Sequence, residues 1–263
     1  MPIAVSDMGF SFDGGQTWAI EGVTLELRAG ELLGIAGCSG CGKTTLLRCL
    51  AGRLAPQVGA IERDGTVGIV FQSPEEQLFA PTVGEDVMFG PRNQGRGEAE
   101  AQDCARRALG LVGLDPAAFW ARSPFALSGG EKRRAAIAGV LAMDPAYLLL
   151  DEPTAGLDPR ERARLLDALG ALAASGTGVA LVSHDMDSLA ERCDRVALMR
   201  DGRIVAQGDA ADVLGDARLV REAGLVPPVA VELAERLCAG GVEVPAGVVD
   251  ARGLADALRG GER

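Results

Sequence analysis

The nine residues 37–45, GCSGCGKTT, match the sequence patterns of two different kinds of functional site. Cys38 and Cys41 form a C-x-x-C pair, which is the spacing of redox dithiols and of half of many zinc sites. The same letters contain G-x-x-x-x-G-K-T, a pattern in which backbone N–H groups, a lysine and a threonine hold phosphates and Mg²⁺. The two interpretations require different partners elsewhere in the chain, so the other residues decide between them.

The context of this stretch favours the phosphate-binding interpretation. The apolar run LLGIAG predicts a buried strand before it, and KTTLLRCLAG continues after it with helical periodicity. We expect Lys43 to reach the β- and γ-phosphates of a nucleotide and the Thr44 hydroxyl to ligate Mg²⁺. The residues predicted to contact the nucleotide in this loop are Gly37, Cys38, Ser39, Gly40, Cys41, Gly42, Lys43, Thr44 and Thr45.

Two adjacent carboxylates end the apolar strand predicted from YLLLDE, residues 147–152. Because neighbouring residues of a strand point to opposite faces, Asp151 and Glu152 are expected to have different roles. Asp151 is predicted to hold Mg²⁺ through its water shell, and Glu152 to act as the general base that poises the attacking water. The alternative is an acidic pair that is only a solvated strand end.

Two further polar residues follow predicted strands. His184 ends GVALVSH and is the one histidine of the chain, at a position from which it could hydrogen-bond a γ-phosphate. A lone histidine near a core is more often structural, which is the alternative. Gln72 closes TVGIVFQ and offers a neutral amide to Mg²⁺ or to the attacking water. A glutamine without a catalytic role is the alternative there.

LSGGEKRR, residues 127–134, predicts a second anion site. Ser128, Gly129 and Gly130 precede a helix expected to begin near Glu131, and the N–H groups at a helix N-terminus favour anions. One nucleotide cannot use both loops of one chain if the first loop already surrounds it. We therefore expect these three residues to bind the γ-phosphate held by a second subunit, although S-G-G by itself is also a good helix cap.

Composition limits the class of protein. The 263 residues are 48% hydrophobic and 24% charged, which indicates a folded globular chain rather than a disordered one. A net charge of −11 argues against a nucleic-acid-binding surface. Without a secretory leader or an apolar run of about 20 residues, a cytosolic protein is expected. The six cysteines are expected to be reduced, and with one histidine a Cys/His zinc site lacks ligands.

The order of the predicted elements indicates an α/β fold. Short strands over residues 3–35 precede buried strands at 66–72, 146–153 and 178–184, and helices between these strands indicate a mainly parallel sheet covered on both sides. Further along, the sequence predicts a helical insertion over residues 80–142, a hairpin turning at Asp201-Gly202, and a short helical tail after residue 215.

In order and spacing, these motifs resemble those of the ATP-binding cassette (ABC) ATPases: GCSGCGKT, Gln72, LSGGE, YLLLDE, AGLD at 155–158, and His184. The resemblance covers nearly the whole chain. It implies an ABC nucleotide-binding domain over residues 1–217, with a parallel core sheet, an N-terminal antiparallel β subdomain and a helical subdomain. It also implies ATP and Mg²⁺ as cofactors and a head-to-tail dimer that sandwiches two ATP molecules, with Asp158 communicating between the two sites.

A finer resemblance lies in FQSPEEQLFAPTVGEDVMFGPRN, residues 71–93, which is similar to the ATPases of energy-coupling-factor importers, including cobalt and nickel uptake systems. In those proteins a short helix after the glutamine lines the groove for the membrane subunits. Glu75, Glu76 and Gln77 are therefore expected to meet basic coupling helices, with a solvated acidic turn as the alternative.

This resemblance implies a peripheral ATPase at the cytoplasmic face of the membrane that powers import of a transition-metal ion or a vitamin. Its partners would be integral membrane subunits and a second ATPase, identical or different. The tail, residues 218–263, would help to pair the two ATPases. A soluble ABC ATPase of translation or DNA repair is the alternative, although such proteins usually carry two cassettes or long coiled coils and favour basic surfaces.

The chain departs from the family pattern at two positions. Where the family usually offers a tyrosine to stack on adenine, Phe12 is expected to stack without donating an O–H bond. Glu131 stands where glutamine is commoner, which weakens the expected sugar contacts. The cysteines of the opening stretch occupy variable positions of the loop. Lys43 and the helix N-terminus are expected to favour a thiolate at Cys41, so that alkylation inhibits hydrolysis and bound ATP protects.

Overall fold

The structure of the chain is a computed structural model that describes residues 2–245 and 247–260. The strands in this part are β1 (Ile3–Ser11), β2 (Trp18–Leu27), β3 (Leu32–Gly37), β4 (Val58–Glu62), β5 (Val67–Val70), β6 (Tyr147–Asp151), β7 (Gly178–Val182), β8 (Arg195–Arg200) and β9 (Arg203–Asp209). The helices are α1 (Lys43–Leu50), α2 (Val83–Asn93), α3 (Glu98–Leu111), α4 (Pro116–Phe119), α5 (Gly129–Leu141), α6 (Pro159–Ala174), α7 (Met186–Arg192), α8 (Ala210–Gly215), α9 (Ala217–Glu222), α10 (Val229–Ala239) and α11 (Ala251–Gly260). Short 3-10 turns lie at Pro74–Gln77 and Pro124–Ala126.

The central sheet has six strands in the order β5-β6-β7-β3-β8-β9. All of its pairs are parallel except β8 with β9, which is antiparallel at one edge. Strands β3, β6 and β7 are buried along their whole length, as expected for strands covered on both faces. Because these strands are parallel, their carboxyl ends share one edge of the sheet, where ligands of α/β folds bind. The predicted α/β fold is confirmed.

A second sheet is antiparallel and has the order β2-β1-β4. It confirms the predicted N-terminal β subdomain, but the sequence did not indicate β4. The segment VGAIE is exposed at four of its five positions, so it carries no alternation of buried and exposed residues. Main-chain pairing with β1, in which Val5 lies opposite Ile61, holds this edge strand.

Alternating side chains of β3 divide the interior into two cores. Leu33 and Ile35 pack with α1 and the antiparallel sheet, whereas Leu32 and Ala36 pack with the helices on the other face. The pleat of a single strand thus fixes both layers against the central sheet. The loop that follows β3 is anchored by both cores.

The insertion between β5 and β6 is helical, as predicted, and contains α2 to α5. It leaves and re-enters the sheet at neighbouring strands, since Val67 pairs with Tyr147. Thr82 and Ser128 cap α2 and α5 by accepting hydrogen bonds from backbone N–H groups of the first turn. Helix α5 packs against β5 and the 3-10 turn at Pro74–Gln77.

The predicted hairpin is formed by β8 and β9. Its turn residues Asp201 and Gly202 have φ values of 48° and 77°, the left-handed pair that a two-residue hairpin favours. Helices α9 to α11 follow, and within them Val220 is buried whereas Val229 and Leu233 are exposed. Of the predicted extension, residues 246 and 261–263 lie outside the described part. No helix among the described residues combines the length and apolar character needed to span a membrane.

Candidate functional site

The phosphate loop joins the end of β3 to the start of α1, as the sequence predicts. Glycine is required at two positions of the loop because main-chain atoms of other strands lie too close to leave room for a side chain. A Cβ on Gly37 would lie 2.4 Å from the carbonyl oxygen of Met199, and a Cβ on Gly42 would lie 2.5 Å from that of Ala19. Gly42 also has a φ of 99°, which side chains disfavour. The loop is therefore held between β8 and the beginning of β2.

The Lys43 ammonium turns back onto the loop. Its Nζ donates to the carbonyl oxygen of Gly37 at 2.5 Å and to that of Cys38 at 2.8 Å. Ser39 and Gly40 complete the exposed tip of the loop. A lysine ammonium carries three donors and acts as a point charge, so it can exchange carbonyl oxygens for phosphate oxygens at the same place.

Thr44 and Asp151 are brought together from α1 and the end of β6. The Thr44 hydroxyl donates to Oδ2 of Asp151 at 2.6 Å, and Asp151 is 4% exposed. Hydroxyl and carboxylate oxygens are ligands that Mg²⁺ accepts, and Mg²⁺ is usually held by one or two carboxylates together with substrate phosphates. Among the described residues, no group of three His, Cys, Asp or Glu side chains could hold a metal alone. The donor set therefore fits an ion shared with a nucleotide.

Glu152 lies one residue beyond β6 and has a φ of 52°, in the left-handed region. Its N–H donates to the carbonyl oxygen of Val182 at 3.0 Å, and its Oε2 lies 2.8 Å from Nδ1 of His184. Glu152 is therefore not part of the strand, and the alternation predicted for the two carboxylates does not apply to it. The backbone changes conformation after Asp151, at a cost of about 1–3 kcal/mol that the surrounding contacts must offset.

His184 is not a core residue. Its side chain is 73% exposed and hydrogen-bonds the Glu152 carboxylate. An ionised carboxylate only accepts hydrogen bonds, so we assign the ring proton to Nδ1. This leaves Nε2 as the ring atom free to meet a ligand.

Ser128 caps α5 in a reciprocal arrangement with Glu131. Glu131 N–H donates to the Ser128 hydroxyl at 3.3 Å, and Ser128 N–H donates to the Glu131 carboxylate at 2.8 Å, which lowers the pKa of that carboxyl. The helix begins at Gly129, two residues before the predicted start. Across the described residues, no hydrogen bond joins Ser128, Gly129 or Gly130 to the phosphate loop of the same chain.

Three predicted residues lie outside the cluster formed by Lys43, Thr44, Asp151, Glu152 and His184. The side chain of Gln72 is exposed after β5. Asp158 is the N-cap of α6 and accepts from the Glu161 N–H at 2.8 Å. Phe12 is 67% exposed and packs edge-on against Phe10, with ring centroids 4.9 Å apart. Each is accessible to a ligand or a second protein.

The thiolate predicted at Cys41 is wrong. Cys41 is buried, and burial raises the pKa of its thiol despite the smaller opposing effect of the Lys43 ammonium 3.8 Å away. Cys38 is the exposed thiol of the pair, and its Sγ lies 3.2 Å from the carbonyl oxygen of Gly224 in the C-terminal tail. The two sulfur atoms thus have separate partners, as expected if the C-x-x-C spacing is incidental.

Sequence reasoning missed Arg133, whose side chain is only 10% exposed. It is paired with Glu75 at 3.2 Å, so this carboxylate is engaged within the chain, whereas Glu76 and Gln77 are exposed. A helical signal was available: Arg133 lies four residues before the buried Ile137, and side chains four apart share a helix face.

An exposed aromatic pair was also missed. Phe79 and Phe89 are 58% and 47% exposed, and their rings meet edge to face with centroids 4.9 Å apart. Aromatic residues make up only 4% of the chain, so three phenylalanines within residues 71–93, Phe71 among them, were a signal in themselves. With the exposed Glu76 and Gln77, which shortly precede Phe79 in the chain, they give residues 76–89 a mixed apolar and acidic surface.

Comparisons with known proteins agree with this arrangement. The sequence profile of the ABC transporter family matches residues 20–155. The chain is 43% identical over 278 residues to the energy-coupling factor transporter ATP-binding protein EcfA2 of Symbiobacterium thermophilum, and the match covers 99% of this chain and 96% of that protein.

Two solved structures are similar over most of the chain. CbiO1 from Clostridium perfringens, part of the ABC transporter complex CbiONQ, has a TM-score of 0.75 at 33% identity and covers 89% of this chain and 98% of its own. The ATP-binding cassette MJ0796, solved as a dimer with ADP and Pi after hydrolysis, has a TM-score of 0.72 at 26% identity, with coverages of 79% and 98%.

Proposed function

The chain belongs to the ABC transporter family of ATP-binding proteins, and we propose that it is the ATP-hydrolysing subunit of an importer of the energy-coupling-factor type. ATP binding closes a dimer of such subunits, and hydrolysis with product release reopens it. That motion drives the integral membrane subunits. The cargo is a transition-metal ion or a vitamin, which the membrane part selects.

The observation that carries this proposal is a pair of contacts at the carboxyl end of β6. Asp151 accepts from the Thr44 hydroxyl of the phosphate loop at 2.6 Å, and Glu152 bonds His184 at 2.8 Å. One carboxylate thus meets the phosphate loop and the other meets an imidazole. Phosphoryl transfer to water needs two such separate groups. One must hold the positive charge of a metal ion near the phosphates, and the other must position the attacking water.

Residues 37–45 are proposed to surround the phosphates of ATP, with Phe12 stacking on adenine. Lys43 would exchange the carbonyl oxygens of Gly37 and Cys38 for the β- and γ-phosphate oxygens. Thr44, Asp151 and the amide of Gln72 would hold Mg²⁺. When bound, that ion neutralises charge that develops on the phosphates.

Glu152 is proposed as the general base that accepts a proton from the attacking water. His184 would keep the carboxylate oriented through Nδ1–H, which leaves Nε2 for the ligand. A neutral ring that keeps this bond offers Nε2 only as an acceptor. To donate to the γ-phosphate at the same time, the ring must be an imidazolium.

The nucleotide site is proposed to be completed by a second ATPase subunit. Ser128, Gly129 and Gly130 lie at the amino end of α5, where N–H groups and the helix dipole attract an anion. They would bind the γ-phosphate held by the partner, and Asp158 would link the two sites across the dimer. The tail from residue 218 onward would add to this pairing.

The surface formed by Glu76, Gln77, Phe79 and Phe89 is proposed to receive the coupling helices of the membrane subunits. Its two phenylalanines offer apolar contact, and its acidic side chain suits basic helices. Glu75 can join only by exchanging its contact with Arg133. The protein would then work as a peripheral subunit at the cytoplasmic face of the membrane.

Purification of the tagged chain from its own membranes in mild detergent tests this function. We expect integral membrane proteins and a second ATPase to co-purify, in a complex that hydrolyses ATP. A Phe79→Ser/Phe89→Ser variant should keep hydrolysis in the isolated chain but lose the membrane proteins. Co-purification with ribosomes, with no membrane protein present, would contradict the proposal and favour the soluble alternative.

A further inference from the structure

A buried arginine in the second turn of α5 joins three segments of the proposed site. We propose that Arg133 is a positioning residue for hydrolysis, which holds the Gln72 segment and the segment between Glu152 and Asp158 in a fixed relation to α5. The inference rests on the proposed function and assigns a role to a side chain outside the residues proposed to hold the nucleotide and Mg²⁺.

The guanidinium of Arg133 makes four hydrogen bonds at once. Nε and Nη2 donate to the two carboxylate oxygens of Glu75, each at 3.2 Å. Nη2 also donates to the backbone carbonyl of Gln72 at 3.2 Å, and Nη1 donates to the backbone carbonyl of Ala155. The planar fork of one side chain therefore connects the ends of β5 and β6 to the helix that carries Ser128.

Burial makes this connection specific. The side chain of Arg133 is 10% exposed and that of Glu75 is 28% exposed, so the pair is largely removed from water. Hydrogen bonds to charged groups are stronger in such surroundings, and a rigid guanidinium fixes the directions of all its acceptors together. A lysine at this position could reach only part of this set.

The position of Ala155 links the network to the carboxylates. It lies three residues after Glu152 and three before Asp158, and its N–H donates to the carbonyl oxygen of Glu152 at 3.2 Å. The next residue of α5, Arg134, pairs with Glu161 in the first turn of α6 at 2.7 Å. Helix α5 thus contacts residues 152–161 at two places, at Ala155 through Arg133 and at Glu161 through Arg134.

This arrangement gives a route from one half of the dimer site to the other. If the amino end of α5 moves when it meets the partner's γ-phosphate, the Arg133 contacts carry that movement to Gln72 and Glu152 of the same chain. Packed side chains and hydrogen bonds that form a contiguous network can couple sites in this way. Arg133 would then align the residues around the attacking water without touching it.

Arg133→Gln tests the proposal against Arg195→Gln in the full-length chain. Arg195 is a matched control because it is also largely buried, at 17% side-chain exposure, and pairs with Glu31 at 2.9 Å between β8 and the start of β3. We would measure the melting temperature, the ATP dissociation constant and kcat of each variant. Both should lower the melting temperature, but only Arg133→Gln should lower kcat, by about 10- to 100-fold, with ATP affinity nearly unchanged.

Two further variants decide between positioning and bulk stability. Arg133→Lys keeps the charge and is expected to fold, yet it should lose kcat as well, because an ammonium cannot reach all of the acceptors. Combined with Gln72→Ala, Arg133→Gln should reduce kcat by less than the product of the two single losses, because both act on the same segment. Wild-type kcat in Arg133→Lys, independent losses in the double variant, or a kcat loss equal to that of Arg195→Gln would overturn the inference. Absence of hydrolysis by the wild-type chain would instead count against the proposed function.

Discussion

The two proposed anion-binding loops of this chain differ in how many side chains of the same subunit surround them. Around the phosphate loop, Lys43, Thr44, Asp151, Glu152 and His184 already make contacts within one subunit, at 2.5–2.8 Å. At the amino end of α5, Ser128 and Glu131 cap each other and Glu131 also pairs with Arg122, while Ser128 and Gly129 are exposed and Gly130 is half-buried. The difference supports the proposal that the first loop holds a nucleotide within one subunit and that the second acts across a dimer.

The chemical reason lies in what each loop offers. The region around the phosphate loop has a lysine and a hydroxyl at the start of α1 and two carboxylates at the end of the buried strand β6. The loop before α5 offers backbone N–H groups and one hydroxyl, which bind an anion weakly unless other groups enclose it. We call the surroundings of the phosphate loop the first region and the amino end of α5 the second region. Substitutions in the first region should therefore alter nucleotide binding or hydrolysis in a single subunit. Substitutions in the second region should act through formation of the dimer.

The largest effect is expected from Glu152→Gln. The amide keeps the shape of the side chain but cannot take a proton, so hydrolysis should fall by about 10²- to 10⁴-fold while ATP binding persists. Steady-state phosphate release and nucleotide binding measure the two effects. Glu76→Gln makes the same change at an exposed site and should keep the wild-type rate; an unaltered rate in Glu152→Gln would remove this residue from the role of base.

Gly42→Ala should have the next largest effect, on ATP affinity in the single subunit. A Cβ there would lie 2.5 Å from the carbonyl oxygen of Ala19, so the loop must move. Gly40→Ala is the matched control, because φ is 80° there but nothing lies within 4 Å of the added atom. We expect ATP affinity to fall more than about tenfold for Gly42→Ala, which corresponds to 1.4 kcal/mol. Equal losses in the two variants would show that strain alone, and not the close approach, matters.

Ser128→Ala should separate the second region from the first. Loss of the cap costs about 1 kcal/mol, as does Thr82→Ala at the cap of α2, so both variants should show similar decreases in melting temperature. Hydrolysis should fall only in Ser128→Ala, with ATP affinity of the isolated subunit unchanged. Reduced single-subunit affinity in this variant would place Ser128 at its own chain's nucleotide.

The smallest effect concerns the cysteines of the phosphate loop. Because burial raises the pKa of Cys41, its thiolate fraction near pH 7 is below that of an ordinary cysteine and grows only as the pH rises toward the raised value. Peptide mapping after brief maleimide treatment at pH 7 should find label on Cys38 and little on Cys41. Cys38→Ala should therefore remove any inhibition by the reagent, and faster labelling at Cys41 would contradict this assignment.

Short-range sequence patterns were enough to predict much of the fold and the elements around the phosphate loop. The strand–loop–helix context of residues 37–45, the buried runs before Asp151 and His184, and the Asp201-Gly202 turn are all short-range signals, and each element is where the pattern places it. Parallel strands that end at a common edge bring Glu152 and His184 together, but the contact between their side chains was not predicted.

The features that were missed depend on packing between distant segments. Arg133 meets Glu75 and Ala155 only because α5 lies over β5 and the end of β6. Desolvation raises the pKa of the Cys41 thiol more than the Lys43 charge lowers it, and a count of neighbouring charges in the sequence does not include desolvation. The left-handed backbone at Glu152 likewise has no signal in a glutamate.

Sedimentation of the Glu152→Gln chain with MgATP tests most directly whether the site is completed across a dimer. The account predicts that ATP converts this variant from single subunits into dimers. Adding Ser128→Arg should prevent the dimer while each subunit still binds ATP, whereas adding Thr82→Ala should not. ATP-driven dimers that persist with Ser128→Arg, or a Glu152→Gln chain that binds ATP and stays monomeric, would contradict it.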